Sequence, residues 1–451
     1  MDKMNKQIWL SGFAIVIFFT AVFALHGLLQ EPAVHTPLRH LFKTYEVSTD
    51  ENGAKCVNNS DKAFERIEAG KMNSWDAEHY KRIKETLYTT ERIECWAFFP
   101  LFSLVWRATG LDSLGIGILN CLLFAIGMLI MFKIFENKLP LWGFLLVLCV
   151  PYLVIFMMPY TEALFFLCIA AGLYGIIKEK YRLYFVGFLL ASMTKASASI
   201  LIPVFLFAEI ISATYHRKPL FFLARFGKRI LPVVLGLLCV MMFQKLRGAE
   251  NFQQFFISQK IWGKYLSLPT LPFTDWSSEG KSITDPFLLL YSIPMVVVLL
   301  RAFLRGLKRK EGEKITIWQY ARLISLLFLT GNIFTALLTQ HGGLYSLARY
   351  LLSTPFFVFL LFDTVKNRRN KIWEAVYAFV GLITVVLCIY NFVKVDFAGT
   401  WLVMLGSLLA LFHRKFGKRV LYSALAAGIL LNICWTAYMF NCFLLDAWIF
   451  T

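Results

Sequence analysis

The run Trp75-Asp76-Ala77-Glu78-His79-Tyr80 puts a carboxylate and an imidazole three residues apart, on one face of any helix they share. It lies in the only long polar segment near the start of an otherwise apolar chain. A carboxylate so placed suits a general base that takes a proton from a hydroxyl, so Asp76 is the catalytic candidate. His79 suits a group that positions a hydroxyl or a phosphate, with a neutral structural donor as its alternative. Glu78 should point elsewhere on that helix. Further on, Glu162 opens an apolar stretch directly after Pro159-Tyr160. Lys195 interrupts Met193-Thr194-Lys195-Ala196-Ser197, His341 sits between Gln340 and two glycines, and Arg349 lies in Leu347-Ala348-Arg349-Tyr350. Ionisable residues at the edges of apolar spans are costly and therefore suggestive. Lys195 and Arg349 suit a negative leaving group, or else snorkel to lipid headgroups. Glu162 suits ligand hydroxyls or a cation, or else serves the helix dipole, and His341 between its glycines suits an anion such as phosphate.

The elements that must hold these residues are membrane helices. The 451 residues are 58% hydrophobic with 44 phenylalanines, the mean hydropathy is +0.62, and apolar runs of about 20 residues recur from end to end. Ile8 to Leu29 is longer than a signal-peptide core and is closed by no small-x-small site, so it is expected to stay as a first helix. The formal charge of +18 falls in short loops, among them Lys178, Lys180 and Arg182, then Arg217 to Arg229, then Arg305 to Lys310, then Lys366 to Lys371. Every second loop is basic, as the positive-inside rule requires, and no soluble basic domain exists to bind nucleic acid.

That rule gives about thirteen spans, near 8–29, 113–135, 139–158, 160–178, 182–198, 199–215, 229–246, 286–304, 316–338, 347–364, 372–393, 398–413 and 419–445, with the N-terminus cytoplasmic and the C-terminus external. The stretch 182–215 also fits one broken passage. The fold class expected is all-α and polytopic, with external loops at 30–112 and 247–285. Residues 1–364 form the working module and 365–451 a peripheral scaffold. In the first loop, 76–87 is expected as a short helix with Ser74 as its N-cap, which leaves Asp76 in the first turn. Trp96 to Arg107 is Trp-rich, broken by Pro100 and too short to span, which suits a helix lying at the headgroups.

These residues also resemble a known family. Trp75-Asp76-Ala77 with His79, Ala97-Phe98-Phe99-Pro100-Leu101 and Tyr160-Thr161-Glu162-Ala163-Leu164-Phe165 look like the PIG-V family, the GPI mannosyltransferase 2 enzymes and their bacterial relatives, in the GT-C class of membrane glycosyltransferases. The resemblance covers roughly 1–210, with a looser echo at Ala348-Arg349-Tyr350-Leu351-Leu352. It implies a GT-C-like bundle that transfers a hexose, in the family mannose, from a polyprenyl-phosphate donor with inversion at the outer or luminal face. It also implies that Asp76 is the acidic residue of the site. Such a donor keeps its chain in the bilayer and its sugar at the surface, so the site belongs where loops meet helices.

No cofactor is expected. Outside the apolar spans there is no Asp-x-Asp, His-x-x-x-His or paired-cysteine spacing, so a divalent metal would have to be gathered from Asp76, His79 and Glu162, and metal-independent chemistry is favoured. No Gly-rich phosphate loop points to a nucleotide sugar. Cys56 and Cys95 stand alone together in the first loop and are expected to bridge in an oxidising compartment. The bilayer and a lipid-linked sugar are the expected partners, and the acceptor is a glycan, lipid or protein. The localisation expected is the bacterial inner membrane, or the ER membrane in a eukaryote. A lipid-linked-sugar ligase or polymerase, and a polytopic transporter, are the rival classes. A transporter would place its charges at mid-membrane and carry inverted repeats, neither of which is visible.

Overall fold

Among the described residues, five helices are long and apolar enough to cross a membrane, Gln7–Leu29, Ser113–Ile134, Phe222–Leu246, Ile317–Thr339 and Lys418–Leu444. In the computed structural model they belong to a predominantly helical chain, described for residues 3–38, 44–49, 55–60, 62–136, 138–212, 219–250, 254–268, 284–307, 315–340, 344, 346–367 and 397–447. The elements in order are α1 (Lys3–Leu29), α2 (Pro32–Leu38), β1 (Thr44–Thr49), β2 (Lys55–Ser60), α3 (Asp76–Thr86), α4 (Pro100–Thr109), α5 (Ser113–Ile134), α6 (Leu141–Leu145), α7 (Glu162–Ile177), α8 (Tyr181–Thr194), α9 (Leu201–Ser212), α10 (Pro219–Leu246), α11 (Gln254–Ile261), α12 (Thr284–Leu307), α13 (Ile317–Thr339), α14 (Leu347–Leu352), α15 (Pro355–Lys366), α16 (Phe397–Phe412) and α17 (Lys418–Leu444). The helical class expected from the sequence is present with one local addition. The strands β1 and β2 pair antiparallel, Thr44 opposite Ser60, inside the first polar loop.

Several expected spans are broken. Residues 139–158, read above as one helix, form the five-residue α6, two 3-10 turns at Leu146–Cys149 and Leu153–Met157, and a kink at Val150-Pro151. Pro151 cannot continue a helix, and away from water the freed carbonyls need donors. Two asparagines supply them. Asn432 Nδ2 on α17 donates to the Leu148 and Val150 carbonyls at 2.7 and 2.8 Å, and Asn120 Nδ2 on α5 donates to those of Met158 and Tyr160 at 2.5 and 3.0 Å. The expected span 347–364 is likewise two helices, α14 and α15, separated at Ser353-Thr354, where Thr354 Oγ1 caps α15 by accepting from the Phe357 backbone N–H. The expected span 372–393 lies outside the described residues.

In the C-terminal part, Asn432 ties the last helix to the rest of the bundle. Through it α17 runs against the core, and near its other end Asn441 Oδ1 accepts from the Glu65 backbone N–H at 2.7 Å, tying the helix to the first loop. Among the last elements, α17 is therefore part of the frame that holds that loop.

The centre of the bundle is the pair α7 and α8, flanked by α5 and α10. Glycines let these two helices touch backbone to backbone: a Cβ on Gly187 would stand 2.5 Å from the Gly172 nitrogen. At 16 and 14 residues they reach only about 24 and 21 Å, less than the roughly 30 Å of a hydrocarbon core. After α8 the chain extends at Lys195 (φ −147°, ψ 136°) and returns through a 3-10 turn into α9, with Phe188 edge-on to Phe205 at 5.4 Å. The stretch 182–215 is thus two short antiparallel helices up to Ser212. Because α7 starts with Glu162 and α8 ends at Lys195, those two residues meet at one end of the bundle.

Candidate functional site

That end is capped by the first loop. α3 presses Ala77, Tyr80 and Ile83 inward, and its backbone is clipped to α4 by Ser103 Oγ, which donates to the Tyr80 carbonyl at 2.9 Å. The N-cap of α3 is Trp75 rather than Ser74. Trp75 has φ 59° and ψ −128°, a conformation that costs a bulky residue about 1–3 kcal/mol and aims the next residue, Asp76, into the bundle. The segment Trp96 to Arg107, expected to offer its aromatics to headgroups, turns them into the protein instead. Trp96, Phe102 and Trp106 are buried, and Trp96 stacks on Tyr88 at 4.7 Å. Arg107 reaches back to the Lys84 and Glu85 carbonyls and closes the end of α3.

Four of the residues singled out in the sequence converge there. Arg349 Nη1 lies 2.7 Å from Asp76 Oδ2 and its Nε lies 2.6 Å from Glu162 Oε1, so one guanidinium fork bridges two carboxylates. Lys195 Nζ reaches the same Glu162 oxygen at 2.7 Å. The Glu162 side chain is 1% exposed, that of Arg349 4% and that of Lys195 12%. Neither cation snorkels to a surface. Asp76 is the most open member, at 22%. Its Oδ1 makes no hydrogen bond or ion pair among the described residues, and Glu162 Oε2 is buried without a hydrogen-bond partner. The Arg349 guanidinium lies 4.7 Å over the Tyr160 ring, and Lys195 Nζ lies 5.0 Å from that of Tyr350.

The pairing bears on one expectation. Lys195 and Arg349 were expected to serve a negative leaving group or to snorkel, and both are engaged by carboxylates from separate helices. A buried cation in a medium of low dielectric needs a counter-charge, and Glu162 and Asp76 provide it. His79 is also placed differently. Its ring stacks on Phe98 at 4.7 Å and meets Trp262 edge-on at 5.0 Å, with Nδ1 3.7 Å from Cys95 Sγ. Burial holds this imidazole below its ordinary value against the pull of Asp76 and Glu78. The neutral ring is therefore the one that packs, and its contribution to stability is complete above about pH 6.5 and is lost as the pH falls through the lowered value. His341 lies outside the described residues.

The expected Cys56–Cys95 bridge is not formed. Cys95 is a free, buried thiol beside His79, and burial pushes it up to about 11. Cys56 is in β2, and its side chain lies outside the described residues. A protonated, enclosed thiol reacts slowly. Native protein treated with a maleimide at pH 7 should therefore leave the Cys95 peptide unmodified with or without reductant, and unfolding should expose it. Modification that appears only after reduction, read by peptide mass spectrometry, would restore the bridge.

Reading the sequence missed the part played by residues 254–268. Ser258 Oγ donates to the Ile93 carbonyl at 2.7 Å, Trp262 Nε1 to that of Glu94 at 3.2 Å, and the Ser267 backbone N–H to that of Leu338 at 2.8 Å, so this strap lies across the first loop and reaches α13. It delivers Lys264, whose Nζ donates to the Tyr350 hydroxyl at 3.3 Å. One lysine among many in a polar loop carries no periodic signal. Among the described residues no group of three or more His, Cys, Asp or Glu side chains is arranged to hold a metal ion. A separate cavity of about 780 Å³ lies between α12, α13, α15 and α16, with Arg301, Arg305, Arg322 and Asp363 at its polar side. No residue of the cluster lines it. Compared with protein-family models, with curated proteins and with solved structures, this chain matches none.

Proposed function

We propose that the chain is a polytopic membrane glycosyltransferase that moves a hexose, mannose by the resemblance to the PIG-V family, from a polyprenyl-phosphate donor to an acceptor hydroxyl with inversion. The observation that carries the reading is the buried link Asp76–Arg349–Glu162–Lys195 at the end of the bundle where the first polar loop meets the apolar helices. With this reading goes the expectation of a GT-C-like bundle of about thirteen spans with that end facing outward, in a bacterial inner membrane or the ER.

The chemistry follows from the free oxygens. Arg349 orients Asp76 through Oδ2, which leaves Oδ1 to take the acceptor proton. The acceptor oxygen attacks the anomeric carbon, the bond from that carbon to the phosphate oxygen breaks, and the phosphate leaves with the electron pair. Glu162 Oε2, buried and without a partner, suits a sugar hydroxyl, since an unmet buried acceptor costs about 1–3 kcal/mol until a donor arrives. Positioned carboxylates and cations from the protein suffice for a monophosphate donor, so no cofactor is invoked.

The test is direct. Purified full-length protein in lipid vesicles should move label from a radiolabelled polyprenyl-phosphate hexose to an acceptor when a panel of such donors is offered. Activity with a nucleotide sugar instead, or label that crosses the vesicle membrane without transfer, would replace this reading with a different donor class or with transport.

A further inference from the structure

Around Tyr350 three cations face two carboxylates. Arg349 is spent on Asp76 and Glu162, and Lys195 on Glu162, so their charges are met within the protein. Lys264 is the one left over. Its ammonium makes no ion pair among the described residues, its hydrogen bond goes to the hydroxyl of Tyr350, and Asp76 acts on it only from beyond ion-pair distance. It stays 5.7 Å from the Tyr350 ring centre because the strap carrying it is fastened on both sides, by Ser258 and Trp262 to the first loop and by Ser267 to α13. A half-buried ammonium held in place without a counter-anion is an arrangement that a bound anion completes.

We infer that Lys264 and Tyr350 form the binding site for a phosphate monoester, which makes Lys264, and not Lys195 or Arg349, the protein's main cation for the donor phosphate. The Tyr350 hydroxyl accepts from Lys264, so its own proton is directed elsewhere, and the nearby ammonium makes it a stronger donor. A phosphate oxygen thus meets an N–H and an O–H donor together. The arrangement also explains why a basic cluster holds two carboxylates. Asp76 and Glu162 cancel the deeper cations, and the uncancelled charge sits at the strap, so the leaving phosphate is drawn to one side of the base rather than onto its partner Arg349.

This inference rests on the transferase reading, and the experiment separates the two. The full-length protein in detergent is titrated with a polyprenyl monophosphate, with the parent polyprenol, with phosphatidylglycerol and with inorganic phosphate. The wild type should bind the polyprenyl monophosphate, bind the polyprenol and phosphatidylglycerol far more weakly, and be displaced by inorganic phosphate only at high concentration. Lys264→Met should weaken binding of the monophosphate roughly 10- to 100-fold, as expected for a lost hydrogen bond to a charged group. Lys264→Arg should restore most of it, which a merely structural role for the strap would not require. Lys260→Met, which removes an exposed charge one turn earlier, should bind as the wild type does. Equal binding by Lys264→Met and wild type, with donor turnover intact in the wild type, overturns the inference and leaves the transferase reading standing. Equal affinity for phosphatidylglycerol makes the site a general headgroup contact and overturns it too. A wild type that neither binds the monophosphate nor turns over any polyprenyl-phosphate sugar overturns both.

Discussion

Asp76→Asn should fold and express as the wild type does while losing about 10²- to 10⁴-fold in turnover with a polyprenyl-phosphate hexose, the usual worth of general-base assistance. Asparagine keeps the size of the side chain and one oxygen for Arg349 Nη1, now 2.7 Å from Asp76 Oδ2, but it has no basic oxygen for the acceptor proton. The loss should therefore fall on kcat, with donor binding little changed, because the amide leaves the Lys264–Tyr350 pair intact. Turnover within threefold of the wild type would remove Asp76 from the reaction and reduce its ion pair to a fastening for the first loop. A rise in KM alone would point to a part in binding instead.

The largest effect on stability should come from Glu162→Gln. One oxygen of this buried carboxylate receives both Arg349 Nε and Lys195 Nζ, so neutralising it leaves two mostly buried cations with Asp76 as the nearest remaining counter-charge. Breaking a buried pair from one side typically costs about 3–5 kcal/mol, far above the roughly 0–1 kcal/mol of an exposed pair. Thermal or denaturant unfolding in detergent should show a loss of that order. Removing the partners together, as in Glu162→Gln with Lys195→Met, should cost less than the sum of the single changes, because each then leaves less unmatched charge. A loss under about 1 kcal/mol would mean that water enters the cluster and screens it.

Much of this protein was legible in its sequence because the relevant physics is local. A helix must satisfy its own backbone away from water, so runs of apolar residues announce themselves, and α1, α5, α10, α13 and α17 coincide with expected spans. A charge at the edge of an apolar run is expensive, and for that reason Glu162, Lys195 and Arg349 stood out before any geometry was known, while Asp76 stood out as a carboxylate among aromatics in the polar first loop. Pro151 was visible too, but a proline alone does not tell a kinked helix from a broken passage. That was decided by Asn120 on α5 and Asn432 on α17, which supply donors for the freed carbonyls from distant parts of the chain.

The sequence by itself thus determined the apolar helical class, the polar first loop with Asp76, and three ionisable residues, Glu162, Lys195 and Arg349, that an apolar background does not tolerate without a reason. Only the tertiary structure decided what each one touches. Glu162 and Arg349 are 187 residues apart, and no spacing rule couples positions so distant. Their meeting depends on the glycine contact of α7 with α8, on the break that ends α8 at Lys195 and on the turn of Trp75 that aims Asp76 inward. Cys95 and Cys56 show the converse, since sharing a loop and a compartment does not bring two sulfurs together when one of them packs beside His79. Lys264 is the plainest case. As a residue type it is one lysine of a basic chain, and it becomes distinctive only because folding pairs Lys195 and Arg349 with carboxylates and leaves this one without an ion pair among the described residues.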